Sequence, residues 1–236
     1  MCKKAILIIH GFGDSIIETE KFINYVMFNS KYDVYGFTLP GHDRAIVNNV
    51  KYNDWIDASI QQVEMLLTKY NKIYLVGHSM GGVIASYLAT KYKKIKKLVL
   101  IAPAFMYVNI KQNKKDIKDL LSKNKLPEEG IYEDLLSKIF RVPITSIFEF
   151  MKLAKKYHDT PKDIKCSTLI LHGDEDEIVP LSASVYAYDS IKAKKTITFI
   201  RDVKHRVLQS EKRDIVNDYI ISYFRGGLRW KKKSEI

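Results

Sequence analysis

The sequence predicts an α/β fold built on a mostly parallel sheet of about six strands, with helices on both faces and a small helical cap. Three observations predict it. Short runs rich in Ile, Val and Leu alternate with amphipathic stretches along most of the 236 residues. The runs are apolar almost throughout, which is how strands covered on both faces read. One of them leads into Gly77-His78-Ser79-Met80-Gly81 and then a helical stretch, a G-x-S-x-G sequence in strand–turn–helix context.

The expected strands are 4–9, 33–38, 72–77, 96–102, 167–172 and 196–200, and the expected helices between them are 16–28, 54–69, 81–92, 181–191 and 209–224. In 54–69, Ile56, Ile60, Val63 and Leu67 recur at helical spacing. This alternation is the pattern of a doubly wound sheet. Residues 104–165 break it. They carry no core-strand pattern, only helical patches at 111–123, 128–139 and 144–157. So long a stretch exceeds a simple connection. It reads as a cap over the carboxyl end of the sheet, inserted into a core of 1–103 and 166–236; the alternative is a helical excursion packed on the side of the domain. Phe140, Ile147, Phe148, Phe150, Met151 and Leu153 supply its apolar surface.

Composition narrows the function classes. Hydrophobic residues make up 46% and charged residues 28%, an ordinary globular balance. No apolar run approaches the roughly 20 residues of a membrane span, and 5–9 is too short for a signal peptide, so a cytoplasmic location is expected. Cys2 and Cys166 have neither metal nor redox spacing and are expected as free thiols. The net charge of +12 comes from 39 basic against 27 acidic residues. It is spread through a Lys-, Ile-, Asn- and Tyr-rich chain without the basic helix or aromatic platform of a nucleic-acid binder. Arg229-Trp230-Lys231-Lys232-Lys233 is the one local patch suited to weak membrane-surface contact.

Ser79 is the candidate nucleophile, on a sharp turn at the carboxyl end of a parallel strand, whose flanking glycines allow backbone to meet backbone. A serine hydroxyl needs a base, a group that orients the base, and donors for the developing oxyanion. Six histidines compete for the first role. His78 adjoins the serine but is expected to point elsewhere on the elbow. His10 and His172 end strands, His42 lies in a Pro40-Gly41-His42-Asp43 loop and His158 falls in the cap. His205 sits in the loop after the last strand, at the edge where a base reaches the serine, and is the choice. The acid should lie between serine and histidine, where Asp174, Glu175, Asp176 and Glu177 all compete; spacing does not choose among them. The backbone N–H groups of Phe12, in His10-Gly11-Phe12-Gly13, and of Met80 are the candidate oxyanion donors. Phe105, Met106, Phe140, Phe148, Met151 and Val179, with Phe12, are candidates to line an apolar acyl pocket or to form cap core.

These segments, in this order, resemble the α/β-hydrolases, over about residues 4–224. The matching pieces are His10-Gly11-Phe12-Gly13, Leu39-Pro40-Gly41-His42, Gly77 to Gly82, Gly173 to Pro180 and His205. Within that superfamily the chain is most similar to small bacterial carboxylesterases and monoacylglycerol lipases, which share a short cap and an aromatic-acidic stretch like Asn53-Asp54-Trp55. The family's G-x-x-D-x-x-V pattern falls on Gly173, Asp176 and Val179. The resemblance therefore implies Asp176 as the acid of a Ser79–His205–Asp176 triad that hydrolyses small-molecule carboxylic esters of short to medium acyl chains, or monoacylglycerol, with no metal or organic cofactor. Two positions depart from the family: Asp43 stands where Gly-His-Gly often ends, and Lys204 precedes His205 where glycine is frequent. Thioesterase, lactonase or peptidase chemistry on the same residues, and a non-catalytic ligand-binding role, are the alternatives.

Overall fold

A computed structural model describes residues 4–43, 50–105 and 144–227. Its centre is a six-stranded sheet in the order β2-β1-β3-β4-β5-β6, with every neighbouring pair parallel. The strands are β1 (Ala5–Ile9), β2 (Asp33–Gly36), β3 (Ile73–His78), β4 (Ile95–Ile101), β5 (Ser167–Gly173) and β6 (Lys195–Ile200). Helices α1 (Glu20–Asn29), α2 (Tyr52–Leu67), α3 (Met80–Lys91), α4 (Ile144–Lys156), α5 (Leu181–Ser190) and α6 (Arg213–Arg225) surround it.

Successive strand side chains point to opposite faces, and two apolar clusters follow from that alternation. Ala5, Leu7, Ile9, Leu75, Leu98, Leu100 and Ile170 face one way and pack with residues of α2, α3, α4 and α5, including Trp55, Ile84, Leu153 and Ala187. Ile6, Ile8, Val76, Val99, Ile101, Leu169 and Leu171 face the other way, against Phe22 and Val26 of α1 and Val216, Ile220 and Phe224 of α6. Each fully buried Leu or Ile contributes roughly 1.5–3 kcal/mol, so covering both faces is what makes the inner strands mostly apolar, with Lys96 and Lys97 of β4 as exceptions near its start. The edge strands are the exceptions. β2 and β6 are largely half-buried, and Phe199 of β6 is 36% exposed.

Three elements differ from the sequence expectation. The first helix begins later, because a short 3₁₀ turn at Ile17–Thr19 precedes α1 and is closed by the Thr19 hydroxyl donating to the Ile16 carbonyl. β2 stops at Gly36 rather than 38; beyond it the Thr38 hydroxyl leaves the ladder to accept the Ile16 N–H. The last helix starts at Arg213, not 209, because Val207–Gln209 forms a separate 3₁₀ turn behind His205.

Of the expected cap, the described part is Ala104, Phe105 and 144–165. Helix α4 packs on α2 and α3, burying Phe150, Leu153 and Ala154. Glu149 of α4 accepts the Tyr52 N–H at the start of α2. The patches at 111–123 and 128–139, the pocket candidates Met106 and Phe140, Cys2 and the basic tail 229–233 lie outside the described residues.

Candidate functional site

The register brings the carboxyl ends of the inner strands level. Ile9 lies beside Gly77, His78 beside Ile101, Ile101 beside Leu171, and Gly173 beside Ile200. The loops that follow these ends form one surface. Among the described residues, the non-glycine residues with positive φ are Ser79 (53°), Ala102 (44°) and Asp202 (49°), all at this edge. A side chain in such a conformation costs of order 1–3 kcal/mol and persists only where the surroundings over-determine it.

Ser79 is over-determined in this way. It joins β3 directly to α3, with φ 53° and ψ −117°. Its N–H donates to the Ile101 carbonyl at 2.9 Å, and its own carbonyl accepts the N–H groups of Gly82 at 2.9 Å and Ala104 at 3.2 Å. The turn is closed further by Gly81, where a Cβ would fall 2.5 Å from the His10 carbonyl oxygen. Glycine here lets α3 press against the end of β1, which sets the elbow beside the loop 10–14. A Cβ on Gly11 would touch both Ser79 Cβ at 3.2 Å and Asp14 Oδ2 at 3.2 Å. Met80 is the first helical residue, so the helix ladder itself offers its N–H no acceptor. Phe12 lies in the turn after β1, stacked on Phe150 of α4 with centroids 5.2 Å apart and planes 14° apart. Trp55 and His42 meet its edges.

His205 is buried, 6% exposed, and its Nδ1 lies 2.7 Å from Asp176 Oδ2. A carboxylate only accepts, so Nδ1 carries the hydrogen and Nε2 is left as the basic nitrogen. The contact depends on Gly173, where a Cβ would overlap the Val203 carbonyl carbon at 2.6 Å. Without one, the end of β5 lies flush with the loop that carries His205. Of the four consecutive acids, Asp176 alone turns inward; Asp174, Glu175 and Glu177 are exposed. The Asp176 side chain is wholly buried. Its Oδ1 accepts the N–H groups of Ile178 and Val179, both at 2.8 Å, while Oδ2 faces two imidazoles, His205 and His172 at 2.8 Å. Burial pushes this carboxyl up, but the bonds from His172 and His205 outweigh it and hold it far below the usual range. Burial lowers the His205 pKa, opposed by the bond to Asp176.

A second network backs the first. His78 does not point at open space. Its Nε2 donates to the His205 carbonyl at 3.0 Å, and the two rings lie 4.8 Å apart. Its Nδ1 faces Asp14 Oδ2 at 3.7 Å, and Arg206 reaches Asp14 Oδ1 at 3.3 Å. Burial raises the Asp14 carboxyl, yet His78 and Arg206 bring it below its ordinary value. The Glu177 carboxylate accepts the His205 N–H at 3.4 Å. The other histidines have local duties. His10 Nδ1 donates to the Gly11 carbonyl at 2.8 Å and Nε2 accepts the Leu39 N–H at 2.9 Å, so the ring ties β1 to the loop 39–42. Its pKa is lowered to about 4, chiefly by burial. His158 is bonded to the Tyr186 hydroxyl.

The structure thus brings Asp176, His205, His78, Ser79, Met80 and the Phe12 loop to one edge. The sequence offered no sign of the parts played by Asp14, His172 and Ser184, because each acts through a contact distant in the chain. Of the apolar candidates, Phe105 and Val179 are buried in the cluster on the α3 face. Phe148, 53% exposed, and Met151 line an open groove along α4 with Thr145, Glu149, Lys152 and Lys155. Cys166 is a buried free thiol whose pKa burial pushes up to about 11. Among the described residues no group of three or more His, Cys, Asp or Glu could hold a metal ion, and no helix is long and apolar enough to cross a membrane.

Comparison with known proteins places this arrangement. A family model described as serine aminopeptidase, S33 (Hydrolase_4) matches residues 2–213. A putative esterase/lipase 2 of Mycoplasma genitalium is 25% identical over 245 residues, covering 94% of this chain and 89% of that protein. Among solved structures, one from a study of LipS and LipT, two metagenome-derived lipolytic enzymes, superposes with a TM-score of 0.78 at 16% identity, covering 95% and 94% of the two chains. The monoacylglycerol lipase of Paleococcus ferrophilus gives 0.70 at 19% identity, covering 94% of each. With the S33 match spanning the sheet, the elbow and the histidine loop, the chain belongs to this serine-hydrolase family of the α/β-hydrolase fold and is a hydrolase of its esterase/lipase kind.

Proposed function

We propose that the protein is a carboxylesterase acting on short- to medium-chain esters or monoacylglycerol through Ser79, His205 and Asp176. The observation that carries this reading is the 2.7 Å bond from His205 Nδ1 to a buried, strongly ionised Asp176, at the same edge as a serine held in a strained elbow.

Ser79 Oγ attacks the ester carbonyl carbon while its proton passes to His205 Nε2. Asp176 holds the ring in the required tautomer and stabilises the imidazolium. The N–H groups of Phe12 and Met80 take the oxyanion; removing one such donor typically costs about 100- to 1,000-fold in rate. The alcohol leaves with the proton from Nε2, giving an acyl-Ser79. Water then attacks, loses its proton to Nε2, and Ser79 is released with the acid. No residue in this sequence of steps needs a metal.

The expected cap enters this reading through its described helix α4, which packs beside this edge. Support comes from the Phe150 ring stacked on the Phe12 ring, which gives the residue that carries one of the proposed oxyanion donors an apolar neighbour. The description of the matched family keeps one other reading in view, peptide hydrolysis by the same residues. Fluorophosphonate labelling followed by a panel of nitrophenyl esters and aminoacyl anilides separates them. The expected result is labelling lost in Ser79→Ala, with esters of short to medium chain turned over fastest. Equal labelling of Ser79→Ala, or anilides outpacing every ester, overturns the proposal.

A further inference from the structure

We infer that His172, backed by Ser184, is a positioning residue for Asp176, bonded to the same carboxylate oxygen that receives the proposed base. His172 ends β5 as part of its ladder and is wholly buried, and its contacts fix its protonation pattern. Nε2 lies 2.8 Å from Asp176 Oδ2 and 3.1 Å from the Val179 carbonyl oxygen. Both are acceptors, so Nε2 carries a hydrogen shared between them. Nδ1 lies 2.7 Å from Ser184 Oγ on α5, whose hydroxyl donates when the ring is neutral. Asp176 therefore stands between two imidazole N–H groups, from His172 on the core side and from His205 on the loop side. The first belongs to a strand and a helix that the sheet holds fixed; the second belongs to a loop.

Two consequences follow. A carboxylate carrying His205 on a flexible connection would sample several rotamers, and the His172 bond, with the Ile178 and Val179 N–H groups, leaves it one. A carboxylate that also accepts from His172 holds its charge less tightly for His205, so it stabilises the His205 imidazolium less than a free one would. His172 thus tunes the basicity of His205 without meeting substrate. Around His205 the charged and titratable groups are Asp176 from the acid loop, Glu177 at its N–H, His78 from the elbow, Asp14 from the loop after β1, and Arg206 beside it; His172 reaches it through Asp176 alone.

The inference rests on the esterase reading only for its kinetic arm. The test compares His172→Gln, whose side-chain amide can reach Asp176 Oδ2, with His172→Asn, which is one methylene shorter and reaches Ser184 instead. Folding of both is checked by circular dichroism, and the His205 ring is followed by nuclear magnetic resonance titration of the full chain. In His172→Asn the His205 midpoint should rise by about 0.5–1 pH unit, and kcat for a nitrophenyl ester should fall about tenfold with KM within about twofold, the pattern of a lost transition-state interaction. His172→Gln should restore both to near wild type. A His205 midpoint unmoved in folded His172→Asn overturns the inference, and so does a His172→Gln variant as impaired as His172→Asn. If neither variant folds, the wild-type chain decides by proton resonance: a downfield, slowly exchanging His172 Nε2 hydrogen supports the bond to Asp176 on which the inference stands, and the absence of that hydrogen sinks it. An inactive wild type with the midpoint shifts intact would reject the esterase reading and leave the role of His172 standing.

Discussion

Two histidines share one carboxylate oxygen, yet they live in different parts of the molecule. His172 and His205 approach Asp176 Oδ2 at 2.8 and 2.7 Å, so the bonds themselves do not distinguish them. Their other ring nitrogens do. His172 Nδ1 is spoken for by Ser184 inside the core, and its Nε2 hydrogen is shared with a backbone carbonyl. Both nitrogens of this ring face fixed partners of the core, and neither faces the edge that carries Ser79. His205 commits only Nδ1 to Asp176, and its side chain keeps 8% exposure at the edge that carries Ser79. Chemistry needs a histidine with one satisfied nitrogen and one open to a changing partner; architecture needs one with neither.

That contrast predicts opposite rankings for activity and stability. His205→Ala and Ser79→Ala should each lower kcat/KM by about 10,000-fold or more, as removing a triad member does in enzymes of this kind. His172→Ala should cost far less activity. Its stability loss should be the greater, because it strands the Ser184 hydroxyl and one side of Asp176 in a dry site, at about 1–3 kcal/mol for each unsatisfied group. His205→Ala should change stability by less than His172→Ala does. Urea unfolding of the two alanine variants beside their ester turnover checks the crossing. A His172→Ala enzyme as dead as His205→Ala, or more stable than it, would remove the distinction between the two rings.

The same contrast explains what the sequence made legible. The elbow could be read because its chemistry is local: the strand, the serine and the glycines are contiguous, and one turn imposes their spacing. The alternation of β and α could be read because burial on both faces leaves inner strands apolar. The edge strands were legible too, though β2 proved shorter than its composition implied. The proposed acid was not readable from spacing, because Asp174, Glu175, Asp176 and Glu177 differ in which side chain meets the His205 ring, and that depends on Gly173 lying flush against Val203. The family pattern pointed at Asp176 where local reasoning stopped. His172, Ser184 and Asp14 gave no signal, since a histidine at a strand end or an aspartate after a glycine turn reads as ordinary until the sheet sets its neighbours. The break between 209 and 213 was hidden for a related reason: the apolar spacing of α6 runs on into the 3₁₀ turn that supports His205.

Acid titration sharpens the comparison at a second level. Burial keeps His205 below the ordinary imidazole value of 6.5, so it remains a base as the medium becomes mildly acidic. The acid limb of kcat/KM should therefore have its midpoint below pH 6.5, and a midpoint above 7 would contradict this. Stability follows His10 together with His42 and His205, which burial also lowers. His10 falls to about 4 in the folded chain from 6.5 unfolded. Between those values the unfolded chain binds the extra proton, so stability decreases as the pH drops from about 6.5 to about 4, by up to about 3 kcal/mol. Asp14 and Asp176, both held low, add their losses below about pH 4, which leaves the upper window to the histidines. Denaturant midpoints measured from pH 7 to 4 should decline in wild type and decline less steeply in His10→Gln, with ester activity falling along its own curve. Identical slopes in the two proteins would mean that His10 is not what acid attacks first.

The smallest effect falls behind His172. Ser184→Ala removes one hydroxyl from a site where it faces His172 Nδ1 at 2.7 Å and where the serine is fully buried. The ring nitrogen then lacks its donor in the neutral form, at a cost of about 1 kcal/mol, and His172 keeps its hold on Asp176 through Nε2. Turnover should fall by no more than about threefold, with KM unchanged, since the carboxylate is still bonded from both sides. Two further variants bracket this value. Ser184→Thr keeps the hydroxyl and should stay near wild type if the added methyl fits, and the double variant Ser184→Ala with His172→Asn should lose little beyond His172→Asn alone, because the serine acts only through the ring. Full additivity of the two losses in ester turnover would show that Ser184 reaches the site by another route, and the core-side arm of the clamp would then have to be redrawn around α5 rather than around His172.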